Sequence, residues 1–187
     1  MVFVGAAILP HGTMIFDGDP NSESPACRER NSTMPPDLIQ GCSNLYTSCV
    51  RAADLVAKMN PDIVIVVTPH GIFLSSGAFG VYMADAACGN ALWNNNCKNI
   101  TVNVLLDAQL SDQLLDFVQK RGIKADGIIT FSRREAPLRW GVVVPLWFVD
   151  RKVDSDKVKY IVMSSPAKIS EGCQEMGKAL HDFASKA

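Results

Sequence analysis

Apolar and polar stretches alternate along this chain in the manner of a protein built from strands and helices. Unbroken apolar runs at residues 2–9 and 63–68 predict strands that are buried on both faces, as in a largely parallel sheet. A third run, at residues 142–148, contains Pro145, which predicts an edge strand or a strand end. Three further strands are expected at residues 78–83, 101–106 and 159–163.

Helical periodicity appears after a long polar stretch. Residues 11–34 show no period and predict a loop, within which no helix is expected. Pro35 and Pro36 then open a helix that ends at Asn60-Pro61. Its apolar positions recur every three or four residues and would pack on the sheet, namely Leu38, Cys42, Leu45, Cys49, Ala53, Val56 and Met59.

Two shorter helices are expected nearer the end of the chain. One begins at Ser111 as N-cap and stops at Gly122, and the other covers about residues 170–185. A turn is expected at residues 94–96, where three asparagines follow one another. The pattern predicts an α/β fold over residues 1–187: a single domain with a central, mostly parallel or mixed sheet flanked by helices.

Composition narrows the classes of function. The chain has 187 residues, a formal net charge of −1 and 48% hydrophobic residues, so it shows no basic excess for nucleic acid. No apolar run is long enough to cross a bilayer. The six cysteines form no Cys-x-x-Cys pair, which predicts reduced thiols and a cytoplasmic protein. Assembly into a homo-oligomer is compatible with this composition.

Two of the three histidines occupy the same tripeptide, Pro-His-Gly, each directly after an apolar run. These are His11 and His70. Open α/β sheets bind ligands beyond the carboxyl ends of their strands, where both imidazoles are expected to meet. Neutral imidazole is a common ligand of iron and zinc, so the pair predicts a metal site. His181, in the last helix, is instead expected to be a solvated residue.

The segments AAILPHG, PDIVIVVTPHG and PLRWGVVVPLWF together resemble the class III extradiol ring-cleavage dioxygenases. This family includes the protocatechuate 4,5-dioxygenase catalytic subunit, plant DOPA dioxygenases and the MEMO proteins. The resemblance implies that His11 and His70 bind Fe(II), with zinc as the alternative metal. It also implies that a catechol-type aromatic diol and dioxygen are the substrates.

Two departures from the family pattern are visible. Arg139 and Trp140 stand where many members have Asp and His, and both are expected to line the substrate pocket. Family members also continue beyond the position of Ala187, where the resemblance places a further histidine and the glutamate that completes the iron site. The domain is therefore expected to be incomplete at its C-terminus, and the catalytic acid or base is unassigned.

Substitutes for the third ligand exist within the chain: Asp17, Asp19, Glu135 and, more weakly, Cys27. Two alternatives to a dioxygenase stay open. One is a MEMO-like metal-binding or interaction protein without dioxygenase activity, and the other is a zinc-dependent hydrolase.

Overall fold

The structure is a computed structural model that describes residues 2–22, 24–92, 97–131, 135–166 and 172–186. Two mixed sheets form its centre. The first has the strand order β1-β7-β2-β5, built from strands Ile63–Thr68 (β1), Phe79–Tyr82 (β2), Ala125–Ile128 (β5) and Lys159–Ser164 (β7). β1 runs parallel to β7, with Thr68 opposite Ser164, so both strands end at the same side of the sheet.

The second sheet has three strands in the order β4-β3-β6. These are Ala86–Ala91 (β3), Ile100–Leu105 (β4) and Glu135–Leu138 (β6). β3 is antiparallel to β4 and parallel to β6. An isolated bridge between Leu106 and Tyr160 joins this sheet to β7 of the first.

Helices lie on both faces of the first sheet. In chain order they are Pro25–Thr33 (α1), Pro36–Lys58 (α2), Ala108–Lys120 (α3), Trp140–Asp150 (α4) and Cys173–Lys186 (α5), with a 3-10 helix at Thr13–Gly18. α3 and α5 bury Leu114, Val118 and Met176 against one face. α2 and α4 contribute to the larger core on the other side.

The predicted α/β class, with mixed sheets flanked by helices, is confirmed. Strands were expected at residues 63–68, 78–83, 101–106 and 159–163, and all four are present within a residue or two. α2 also begins and ends near the predicted residues. Its stripe is only partly buried, because Leu38 is 51% and Leu45 37% exposed, whereas Cys42, Cys49 and Ala53 are covered.

The strand predicted at residues 2–9 is absent, and that prediction is wrong. The segment is irregular and largely exposed, with Ile8 at 99%. It runs along a groove beside β1, which is the edge strand of its sheet, but makes no ladder with it. Apolar sequence alone does not make a strand, because a strand also requires a paired neighbour.

The edge strand predicted at residues 142–148 is also wrong, since these residues belong to α4. Eight of its eleven residues are buried, and the helix is apolar on every side. A helix of that kind has no helical period to detect, and a short apolar run cannot be assigned by period alone. Pro145 lies inside the helix, at a position where proline removes one backbone hydrogen bond.

Smaller differences concern loops and caps. Residues 11–34 are not a plain loop, because they form the 3-10 helix and α1. The N-cap of α3 is Asp107, whose carboxylate accepts a hydrogen bond from the Leu110 amide at 2.9 Å, and Ser111 is a buried residue within the helix. The turn predicted at residues 94–96 lies outside the described residues. Strands β3, β5 and β6 were not predicted.

The cysteines are not all reduced. Cys27 of α1 and Cys97, just before β4, form a disulfide with their Cα atoms 4.4 Å apart. Sequence spacing could not indicate this pair, because 70 residues separate the two. Cys42, Cys49, Cys88 and Cys173 are free. Disulfides are rare in the cytosol, so this bond counts against the cytoplasmic prediction.

No helix in the described part of the chain is both long enough and apolar enough to span a membrane.

Candidate metal centre

His70 lies in a tight turn directly after β1. Gly71 follows it and packs against β7 so closely that an added Cβ would lie 2.5 Å from the Cβ of Ser164. A larger residue would therefore displace the turn, which explains the glycine of this Pro-His-Gly. The amide of His70 donates a hydrogen bond to the Thr68 hydroxyl at 3.2 Å.

His11 reaches the same place from the N-terminal segment. The 3-10 helix that follows is joined to the first Pro-His-Gly by a hydrogen bond from the Ile15 amide to the Gly12 carbonyl, at 3.2 Å. The imidazole rings of His11 and His70 have centroids 4.4 Å apart and meet edge to face, at 75°. The structure therefore brings the two predicted metal ligands together.

Trp140, the first residue of α4, covers the pair. Its indole stacks on His70 with centroids 4.7 Å apart and planes 28° apart, and it lies 5.2 Å from His11. The next residue, Gly141, is pressed against His70, since an added Cβ would lie 2.5 Å from the His70 Cβ. Arg139 occupies the N-cap position of α4 and is exposed.

The surroundings of His11 favour its neutral form. Burial lowers the pKa of His11 from its ordinary value, and charge repulsion between the two imidazoles lowers it further. Its Nδ1 atom is buried and has no hydrogen-bond partner among the described residues. A neutral imidazole with a buried, unpaired nitrogen has the protonation state that metal binding requires.

The candidate third ligands do not join this pair. Asp19 is buried and forms an ion pair with Lys98 at 2.7 Å, and Glu135 is exposed at the start of β6 on the other sheet. Cys27 is part of the disulfide, and Asp17 is buried in the 3-10 helix. Within the described residues, no three His, Cys, Asp or Glu side chains are grouped as a metal site.

An apolar cavity of about 550 Å³ adjoins His11. It extends between the N-terminal segment and β1, and its lining includes His11, Thr68, Gly141 and Pro145. His181 also lines this cavity; its side chain is 61% exposed and lies 3.7 Å from Asp182, in keeping with a solvated helix residue.

Residues 5–187 match the family described as the catalytic LigB subunit of aromatic ring-opening dioxygenase. The chain belongs to this LigB family. No individual curated protein matches it.

Membership of the LigB family confirms the resemblance drawn from the sequence and indicates an aromatic ring-opening dioxygenase-like function in general. Sequence reasoning missed two residues that shape the site in this LigB member, Thr68 and Gly141. One signal was available for Gly141. Gly141 precedes Pro145 by four residues. In a helix, the carbonyl of Gly141 would accept a hydrogen bond from the amide of residue 145, and proline has no amide hydrogen to donate.

Proposed function

We propose that this chain uses an Fe(II) ion, bound by His11 and His70, to open a catechol-type aromatic ring with dioxygen. The observation that carries the proposal is the pair of imidazoles at 4.4 Å, one of them with a buried, unpaired Nδ1. Two imidazole ligands suit Fe(II), Zn(II) and other transition metals, so their chemistry fits the group that the family implies. When bound, Fe(II) would supply open coordination positions for a chelating diol and dioxygen.

The residues of the chain have separate tasks in this proposal. His70 is held by its turn and offers an imidazole in a defined place, while burial lowers the pKa of His11 and so favours its neutral form. Trp140 forms an aromatic wall over both rings, against which a planar substrate ring could stack. The apolar cavity beside His11 offers space for an aromatic molecule.

Anaerobic loading with Fe(II), followed by a catechol such as protocatechuate or DOPA and then by oxygen, tests the proposal. We expect oxygen consumption together with a coloured, ring-opened product. Protein loaded with Zn(II) is the matched control and should consume no oxygen, because zinc has no redox chemistry. Iron binding without oxygen uptake on any catechol would contradict the proposal.

A second candidate is a metal-binding protein of the same family without ring-opening activity. It is favoured by the lack of a third His, Cys, Asp or Glu beside the histidine pair within the part of the chain that the structure describes. The same experiment separates the two, because this candidate predicts stoichiometric metal with no turnover. Zinc in the purified protein together with ester or amide hydrolysis would instead indicate a hydrolase.

A further inference from the structure

Thr68, the last residue of β1, connects the two segments that carry His70 and Trp140. Its side chain is buried, at 2% exposure. The hydroxyl accepts a hydrogen bond from the His70 amide at 3.2 Å and donates one to the carbonyl of Gly141 at 3.4 Å. A single hydroxyl thus bridges the histidine turn and the first turn of α4.

The carbonyl of Gly141 is available to Thr68 because of Pro145. In an α-helix the carbonyl of residue 141 would accept the amide hydrogen of residue 145, but proline has none. Buried carbonyls are almost always paired, so this one needs another donor. The Thr68 hydroxyl is within reach and supplies it.

The rest of the His70 turn is fixed from the neighbouring strands. The Ser164 hydroxyl of β7 donates to the Ile72 carbonyl at 2.7 Å, and the Ile72 amide donates to the Tyr82 hydroxyl of β2 at 3.2 Å. These bonds lie two residues beyond His70. Among the described residues, the bond to Thr68 is the one that the backbone of His70 itself makes.

We infer that Thr68 is a positioning residue whose hydroxyl sets the orientation of His70 against Trp140. The inference rests on the proposed function only where His70 is taken to bind a metal. Threonine brings both a hydroxyl and a methyl group to this place, and the methyl lies close to the turn, 3.2 Å from the position of a Cβ added to Gly71. A test must therefore separate hydrogen bonding from packing.

The variants Thr68→Val and Thr68→Ser make that separation. Valine keeps the shape and removes the hydroxyl, whereas serine keeps the hydroxyl and removes the methyl. Thr101→Val, at an exposed position of β4, is the matched control for replacing threonine with valine. Thermal unfolding checks that each variant is folded, and Thr68→Ala repeats the loss of the hydroxyl if the valine variant does not fold.

The first measurement needs no metal. The chain has only three histidines, so their ring protons give a simple NMR spectrum, in which stacking on the Trp140 indole should shift the His70 signals upfield. Trp140→Ala identifies the shifted signals. We expect Thr68→Val to lose the shift, while Thr68→Ser and Thr101→Val keep it. An unchanged shift in Thr68→Val, or an equal loss in Thr68→Ser, would overturn the inference.

The second measurement is the affinity for Co(II), a spectroscopic substitute for Fe(II). Groups that orient metal ligands typically contribute 10- to 100-fold to affinity, so we expect Thr68→Val to weaken Co(II) binding about tenfold and Thr68→Ser to leave it within about twofold. Equal affinities in wild type and Thr68→Val would contradict the positioning role. If wild-type protein binds no Co(II), the proposed function fails, and the NMR comparison still decides the role of Thr68.

Discussion

The imidazoles of His11 and His70 lie edge to face, with centroids 4.4 Å apart, although they come from two parts of the chain that are held very differently. His70 sits in a turn bonded to β1, β2 and β7. His11 follows an irregular segment that makes no sheet ladder. His70 is therefore anchored to the sheet by hydrogen bonds, whereas His11 belongs to a segment outside the sheet.

This arrangement predicts that both histidines are required for metal binding. His11→Ala and His70→Ala should each abolish stoichiometric binding of Co(II) or Fe(II) at micromolar concentrations, because one imidazole alone is a weak site. His181→Ala is the control and should bind as wild type does, since His181 is exposed and 3.7 Å from Asp182. Metal content after gel filtration measures the result, and full stoichiometry in either variant would refute the site.

The close contact between Gly141 and His70 can be tested as well. The Cβ introduced by Gly141→Ala would lie 2.5 Å from the His70 Cβ, so either the histidine turn or α4 must move. Overpacking of this kind costs about 1–3 kcal/mol in the free energy of unfolding, and metal affinity should fall with it.

The control for this variant is Gly177→Ala in α5, where an added Cβ meets nothing within 4 Å. This exchange should leave the protein equally stable or more stable by about 0.4–1 kcal/mol, because alanine favours the helix. Urea unfolding with and without Co(II) measures both variants. Equal stability and affinity in Gly141→Ala and wild type would show that the close contact is unimportant.

The sequence predicted those parts of the fold whose signal is local. The run at Ile63–Thr68 and the period of α2 were each sufficient for a correct assignment. The doubled tripeptide likewise indicated His11 and His70, because the same three residues followed two apolar runs.

The errors arose where tertiary contacts decide the structure. The segment at 2–9 has a strand-like sequence but is not paired with β1, and α4 is so completely buried that its apolar residues show no helical period. The stacking of Trp140 on His70 depends on that helix, so a strand assignment could not place it. The sequence contains the residues of the site, and the fold determines which of them meet.

Because of the disulfide, the stability of the fold should depend on redox conditions. α1 is largely polar, and Cys27 attaches it covalently to Cys97 across 70 residues of chain. Removing a disulfide usually costs about 2–4 kcal/mol, so Cys27→Ser should lower the Tm by several degrees in oxidising buffer. Cys88→Ser, at a free cysteine, is the control. Wild-type protein in reducing buffer should match Cys27→Ser, and an unchanged Tm on reduction would show that the bond does not stabilise the fold.

The buried thiol of Cys49 should make the folded protein less stable at high pH. Burial within α2 raises the pKa of its thiol from 9.0 to about 11, while in the unfolded chain the thiol ionises near the ordinary value. The folded state therefore holds this proton more tightly. The resulting stabilisation is complete below pH 9 and is lost as the pH rises towards 11, where the thiolate of the unfolded state is favoured.

Cys49→Ala removes this contribution, so its Tm should fall less steeply than that of the wild type between pH 9 and 11. The slopes of Tm against pH are compared, rather than the Tm values, because loss of the buried sulfur also lowers the Tm at every pH. Cys173→Ala, a variant of a half-buried free cysteine at the start of α5, is the matched control for the loss of a thiol. Parallel Tm curves for Cys49→Ala and wild type would mean that burial of Cys49 does not hold its proton.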